Sequence, residues 1–175
     1  MGHNVEIKAR LDDRRRVENE LARLGARDAG VETQHDLFWR VPRGRLKLRL
    51  SSRDGATLIA YARSDSAELR DSSYELVRVA DAQALRRALD ATLEPAGEVR
   101  KTRHLYFVDN VRVHLDRVEG LGSFLELEAV VDAEHDATQC AQAAQLLLER
   151  CGVTPEAHLA VAYVDLLRTA GLVDD

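Results

Sequence analysis

Arg112-Val113-His114-Leu115-Asp116-Arg117-Val118-Glu119-Gly120-Leu121-Gly122-Ser123-Phe124-Leu125-Glu126-Leu127-Glu128 is the stretch on which the fold turns. Val111, Val113 and Leu115 alternate with Arg112, His114 and Asp116, and Leu125 and Leu127 alternate with Glu126 and Glu128. Between them Glu119-Gly120-Leu121-Gly122 supplies a glycine-bearing turn. A period of two marks a strand, because successive side chains leave opposite faces. The stretch therefore reads as a β-hairpin with aliphatics on one face and three acids, an arginine and a histidine on the other. Carboxylates on two neighbouring strands are the oxygen donors that a hard divalent cation requires. A solvated strand face alternates in the same way, so the pattern alone leaves both readings open.

Working outward, the same alternation recurs. Asn4-Val5-Glu6-Ile7-Lys8-Ala9-Arg10 predicts a first strand with Val5, Ile7 and Ala9 on one face. Asp12 or Asp13 is placed to cap a helix carrying Val17, Leu21 and Leu24, which Gly25 stops. Asp36-Leu37-Phe38-Trp39 belongs to a second strand, and Pro42-Arg43-Gly44 turns into Arg45-Leu46-Lys47-Leu48-Arg49-Leu50, three bases against three leucines. Asp54-Gly55 signals a hairpin into a strand over 58–63, residues 64–69 read as a polar loop, and 73–77 as a further strand. Asp81 caps a short helix with Leu85 and Leu89 on one side, and 99–107 forms a strand with Lys101 and Arg103 on the same face. In the last third Cys140, Ala143, Ala144, Leu147, Leu148 and Cys151 make a helical stripe that Gly152 ends. Thr154, Pro155 and the run Leu159, Ala162, Tyr163, Leu166 and Leu167 predict one final helix.

The chain's 175 residues and 45% hydrophobic content suit one folded domain, 1–175, with a real core. No apolar run is long enough to span a bilayer and no signal-peptide pattern opens the chain, so a cytoplasmic protein without membrane attachment is the expectation. Glu6 stands where a myristoylation signal needs Ser or Thr. A formal net charge of −5 argues against nucleic-acid binding by the whole surface. Cys140 and Cys151 share an apolar stripe and are expected as buried free thiols.

Charge distribution says more than its sum. Several strands carry charge on one face and aliphatics on the other, while the helices offer enough apolar stripe to cover only one sheet surface. The fold class is therefore α+β, with helices on the aliphatic face. The charged face either lies open to water or curls into an antiparallel β-barrel with a polar interior. Rows of Lys8, Lys47, Arg49, Arg63, Lys101, Arg103 and Arg112 repel one another unless a polyanion lies between them. A triphosphate with Mg2+ or Mn2+ satisfies both sets, the cations taking phosphate oxygens and Glu6, Asp116, Glu126 and Glu128 taking the metal.

The motifs Asn4-Val5-Glu6-Ile7-Lys8-Ala9, Gln34 and Asp36 before an aromatic pair, 42–49, Arg100-Lys101-Thr102-Arg103, 114–122 with 124–128, and 162–167 together resemble the CYTH or triphosphate-tunnel-metalloenzyme superfamily, closest to its bacterial class IV adenylate cyclase-like branch. The resemblance covers nearly the whole chain. It implies a β-tunnel with helices outside, a triphosphate held by inward Lys and Arg, and one or two divalent ions held by inward acids. It also implies Lys8, Arg63, Lys101 and Arg103 as catalytic residues, with ATP cyclised to cyclic AMP and pyrophosphate. Thiamine triphosphatase-like or tripolyphosphatase-like hydrolysis and a non-catalytic nucleotide-binding module are the alternatives, and a homodimer is left open. Two departures stand out: Asn4 replaces the first glutamate of the superfamily's Glu-x-Glu-x-Lys pattern, and no Lys or Arg accompanies Val161-Ala162 as in the phosphatase branch.

Overall fold

The computed structural model describes residues 2–63 and 70–173. Among them, alternating segments form β1 Gly2–Arg10, β2 Arg27–Trp39, β3 Arg45–Ser51, β4 Gly55–Arg63, β5 Arg70–Val79, β6 Pro95–Val108, β7 Val111–Val118 and β8 Gly122–Val130. They close into a barrel in the order β1-β5-β4-β3-β2-β6-β7-β8, β8 returning to β1, with every pairing antiparallel. Closure leaves no unpaired sheet edge. The opening hairpin is β7 and β8, joined at Val118↔Gly122.

Helices lie outside: α1 Arg14–Arg23, α2 Ala82–Asp90, α3 Ala137–Cys151 and α4 Tyr163–Thr169. Their ends follow from local chemistry. Asp13 and Asp81 accept from the backbone N–H of Arg16 and Ala84, and Asp136 with Gln139 forms a reciprocal capping box on α3. Gly152 closes α3 at φ 70°, a left-handed conformation that glycine adopts without penalty. The outward aliphatics of β1, β7 and β8 pack under Val17 and Leu21 of α1 and Cys140, Ala144, Leu147 and Leu148 of α3. Phe38, Val99, Val118 and Phe124 pack with Tyr163, Val164 and Leu167 of α4, and Leu37, Trp39 and Leu48 with Leu85 and Leu89 of α2. Both cysteines are buried and free, and burial pushes the Cys151 thiol up to about 11. No helix of the described residues is long and apolar enough to cross a membrane.

One sequence expectation is extended and one corrected. β2 contains the expected Asp36-Leu37-Phe38-Trp39 and reaches back to Arg27; the inward side chains Glu32, Gln34 and Asp36 are polar and the outward ones mixed, so no aliphatic alternation betrays the earlier part. The single final helix is instead a 3-10 turn Pro155–Ala157, an extended run and the separate helix α4. The extended run adds to the sheet, with Leu159 N–H donating to Lys8 C=O and His158 bridging Ala9. Asp165 then accepts from Ala162 N–H and starts α4 afresh. The loop expected at 64–69 lies outside the described residues.

Candidate functional site

Strand register decides which charges meet. Glu126 lies opposite Lys8 on β1 and His114 on β7, and Glu128 opposite Glu6 and Arg112. Asp116 faces Arg103, and Asp36 faces Arg49 across β2 and β3. Because residues of one parity point inward on each strand, these side chains converge in a cavity of about 180 Å3 that opens to solvent. It is lined by Glu6, Lys8, Asp36, Lys47, Arg49, Lys101, Arg103, Arg112, Glu126 and Glu128, together with Asn4, Tyr61, Tyr74 and Tyr163.

The cations are held in place by acids. Arg49 grips Asp36 with both arms of its guanidinium at 2.7 and 2.8 Å, and Lys47 Nζ donates to the same carboxylate at 3.0 Å. Arg103 grips Asp116 at 2.7 and 2.6 Å and reaches Glu126 at 2.6 Å, while Lys101 donates to Asp116 at 3.2 Å. Lys8 stands 3.5 Å from Glu126. Forked pairs of this kind fix guanidinium orientation as well as charge. Burial pushes the Asp36, Asp116 and Glu126 carboxyls up, but the adjoining cations outweigh it and hold all three below the ordinary carboxylate range. Glu128 moves the same way, burial being outweighed by His114 when protonated, Arg103 and Arg112. Burial, followed by repulsion from Arg49, pulls the Lys47 ammonium down to about 7, and burial with Arg103 lowers Lys101.

Of the residues expected from sequence, Lys8, Lys47, Arg49, Lys101, Arg103, Arg112, Glu6, Glu126 and Glu128 line the one cavity. The Arg63 side chain lies outside the described residues. Asp116 is 1% exposed and engaged by Lys101, Arg103 and the Tyr163 hydroxyl, which donates to it at 3.1 Å. The compact donor group is His114, Glu126 and Glu128, with ligand atoms within 4.8 Å of one another. Two carboxylates beside a buried imidazole whose Nδ1 has no hydrogen-bond partner fit a divalent ion.

Three participants were missed or left open. Asp36, the clamp on Lys47 and Arg49, carries no signal beyond its place before Leu37-Phe38-Trp39. Tyr163 sits with its ring 3.9 Å under Lys8 Nζ and 5.1 Å from Lys101 Nζ; in a helical stripe it is indistinguishable from a core residue. Glu32, 4% exposed, accepts from Gln34, Arg53 and Ser51 further along the interior.

A closed antiparallel barrel whose interior pairs buried acids with rows of Lys and Arg is matched by a family model, the CYTH domain, over residues 2–163. The chain belongs to the CYTH family. A protein of Methanocaldococcus jannaschii provisionally named an adenylate cyclase is 24% identical over 169 residues, spanning 93% of this chain and 97% of its own length. Among solved structures, the PH1012 protein of Pyrococcus horikoshii shares the fold at a TM-score of 0.83 and 22% identity, covering 93% of this CYTH chain and 98% of its own. A Hippeastrum protein, provisionally named an adenylyl cyclase and described as revealing a dominant triphosphatase activity, aligns at a TM-score of 0.61 and 17% identity over 99% of this chain and 98% of its own.

Proposed function

We propose that this CYTH protein is a metal-dependent enzyme acting on a nucleoside or other organic triphosphate, with cyclisation of ATP to cyclic AMP and pyrophosphate as its reaction. The observation that carries the reading is the two-sided cavity. One wall presents Lys8, Lys101, Arg103 and Arg112, and the other, on β4 and β5, presents Ile59, Tyr61, Tyr74 and Leu76, paired directly as Ile59↔Leu76 and Tyr61↔Tyr74. Leu76 is 56% exposed at this wall. Phosphate needs the first wall only; a ring or other organic group makes use of the second.

The chain's own groups then divide the work. Asp36 and Asp116 keep the Arg49 and Arg103 forks aimed before substrate arrives, so little ordering remains to be done on binding. Phosphate oxygens join or replace the carboxylates on those donors. As the ribose 3′-hydroxyl attacks the α-phosphorus, giving up its proton to solvent, and the bond from the α-phosphorus to the β-phosphate oxygen breaks, charge grows on pyrophosphate, where Lys8, Lys101 and Arg103 stabilise it. Glu126 and Glu128 would hold a divalent ion, which when bound would supply activation of the attacking oxygen and polarisation of the phosphate.

Hydrolysis is the second reading, supported by the triphosphatase activity described for the Hippeastrum neighbour. Incubation with ATP, thiamine triphosphate or tripolyphosphate and Mg2+ or Mn2+, with products resolved by mass, separates the cases. Cyclic AMP and pyrophosphate are expected; a diphosphate and inorganic phosphate select hydrolysis. Calorimetry is expected to show ATP binding far more tightly than AMP, and equal affinity for the two, or none, would overturn the triphosphate reading.

A further inference from the structure

His114 is 4% exposed on β7, and its Nδ1 is buried without a hydrogen-bond partner. The nitrogen faces Glu126 Oε2 at 3.7 Å and Glu128 Oε1 at 3.8 Å, too far for a hydrogen bond to either. An unpaired buried ring nitrogen is costly and calls for an explanation. Lys8 stands 3.5 Å from the other Glu126 oxygen, Oε1, and Arg112 3.5 Å from the other Glu128 oxygen, Oε2, while Arg103 donates at 2.6 Å to Glu126 Oε2 itself. One imidazole nitrogen and two carboxylate oxygens thus face one another, all within 4.8 Å. Ligands sharing an ion through bonds of about 2.1 Å stand roughly 3.0 to 3.6 Å apart, so the observed spacing closes on a cation with only a small adjustment. Asn4, near these acids on β1, is 3% exposed and accepts from the Tyr74 hydroxyl at 3.5 Å.

We propose that His114 Nδ1 is a metal ligand and that His114, Glu126 and Glu128 form a mixed nitrogen and oxygen site selecting a first-row transition ion such as Mn2+ or Co2+ over Mg2+. The inference rests on reading the cavity as a metal-dependent triphosphate site. Mg2+ keeps to oxygen donors and gives up its water reluctantly, whereas an imidazole nitrogen adds affinity along the first-row series, least for Mn2+ and more for Co2+ and the ions after it. With three protein ligands, positions remain for phosphate oxygens.

The test uses the full chain with Mn2+ alone and again with tripolyphosphate, followed by pulsed electron paramagnetic resonance. Nitrogen-14 coupling to bound Mn2+ is expected in the wild type and absent in His114→Asn. Mn2+ affinity should fall more than about ten-fold in that variant, since even outer partners of metal ligands are worth 10- to 100-fold, while Mg2+ affinity stays within about two-fold. Should His114→Asn fail to fold, wild type grown on nitrogen-15 histidine is expected to exchange the nitrogen-14 pattern for a nitrogen-15 one. Bound Mn2+ without nitrogen coupling in either condition, or no Mn2+ binding at all, overturns the proposal. Tripolyphosphate titrated without metal tells the two failures apart: binding there beside a nitrogen-free Mn2+ spectrum sinks the His114 assignment alone, and no binding sinks the triphosphate reading.

Discussion

On β1, β7 and β8 the outward residues Val5, Ile7, Val113, Leu115, Leu125 and Leu127 are all buried beneath α1 and α3, whereas on β5 Leu76 and Val77 point to opposite faces and each is 56% exposed. Both regions are antiparallel strands of one barrel. The difference lies in what covers them among the described residues: α1, α3 and α4 pack on the half formed by β1, β6, β7 and β8, and α2 reaches β2 and β3. The thick half holds Lys8, Lys101, Arg103, His114, Asp116, Glu126 and Glu128, groups whose chemistry requires fixed geometry. The thin half contributes the apolar inner wall. On the proposed function, a rigid scaffold behind the charges and a lightly covered wall behind the organic group would divide reaction from selection.

The sharpest attempt to break this comparison is Glu126→Gln or Glu128→Gln on the thick half. Metal-dependent turnover should drop by about 100-fold or more, comparable to losing a principal electrostatic group of an active site, with circular dichroism unchanged. A variant that kept wild-type turnover at limiting metal would return this hairpin to a structural role.

Next in size is stability. Leu125 is fully buried and Leu76 is not, so Leu125→Ala should cost about 2–5 kcal/mol and Leu76→Ala no more than about 0.5 kcal/mol. Urea unfolding midpoints measure both, and similar losses would show the halves to be equally packed. A smaller effect concerns ligand choice. Leu76→Ser should weaken ATP binding about 3- to 10-fold, the worth of a few buried methylenes, and leave tripolyphosphate affinity unchanged; equal weakening of both would detach this wall from the organic group.

The smallest effect is a proton. With the Lys47 ammonium pulled down to about 7, part of the free protein carries a neutral amine above that pH. An arriving triphosphate raises the pKa again, so binding is accompanied by proton uptake in the window between about 7 and the raised value, and the uptake fades well below pH 7, where Lys47 is already charged. Calorimetry in buffers of different ionisation enthalpy reads the uptake, and Lys47→Met should remove it. Unaltered uptake in that variant would place the proton elsewhere.

By itself the sequence determined most of the element types, the helix cap at Asp81 and, as Asp12 or Asp13, that of α1, the charged face of each alternating strand and the family resemblance, because period-two patterning and capping are local physics that neighbouring residues decide. Glu126 and Glu128 were legible because they alternate with buried leucines. The sequence did not distinguish an open sheet from a barrel on periodicity alone, since both present the same two faces; closure is a pairing of β1 with β5 and β8, far apart along the chain. Nor did it reveal β2 before Asp36, whose polar residues look like loop until the barrel turns them inward. Only the tertiary structure decided which cation meets which acid, that Asp36 clamps Lys47 and Arg49, and that Tyr163 starts a separate helix with its hydroxyl on Asp116. Those are matters of register and of an extended run laid against β1, set by cross-strand hydrogen bonds between segments that no local pattern can bring together.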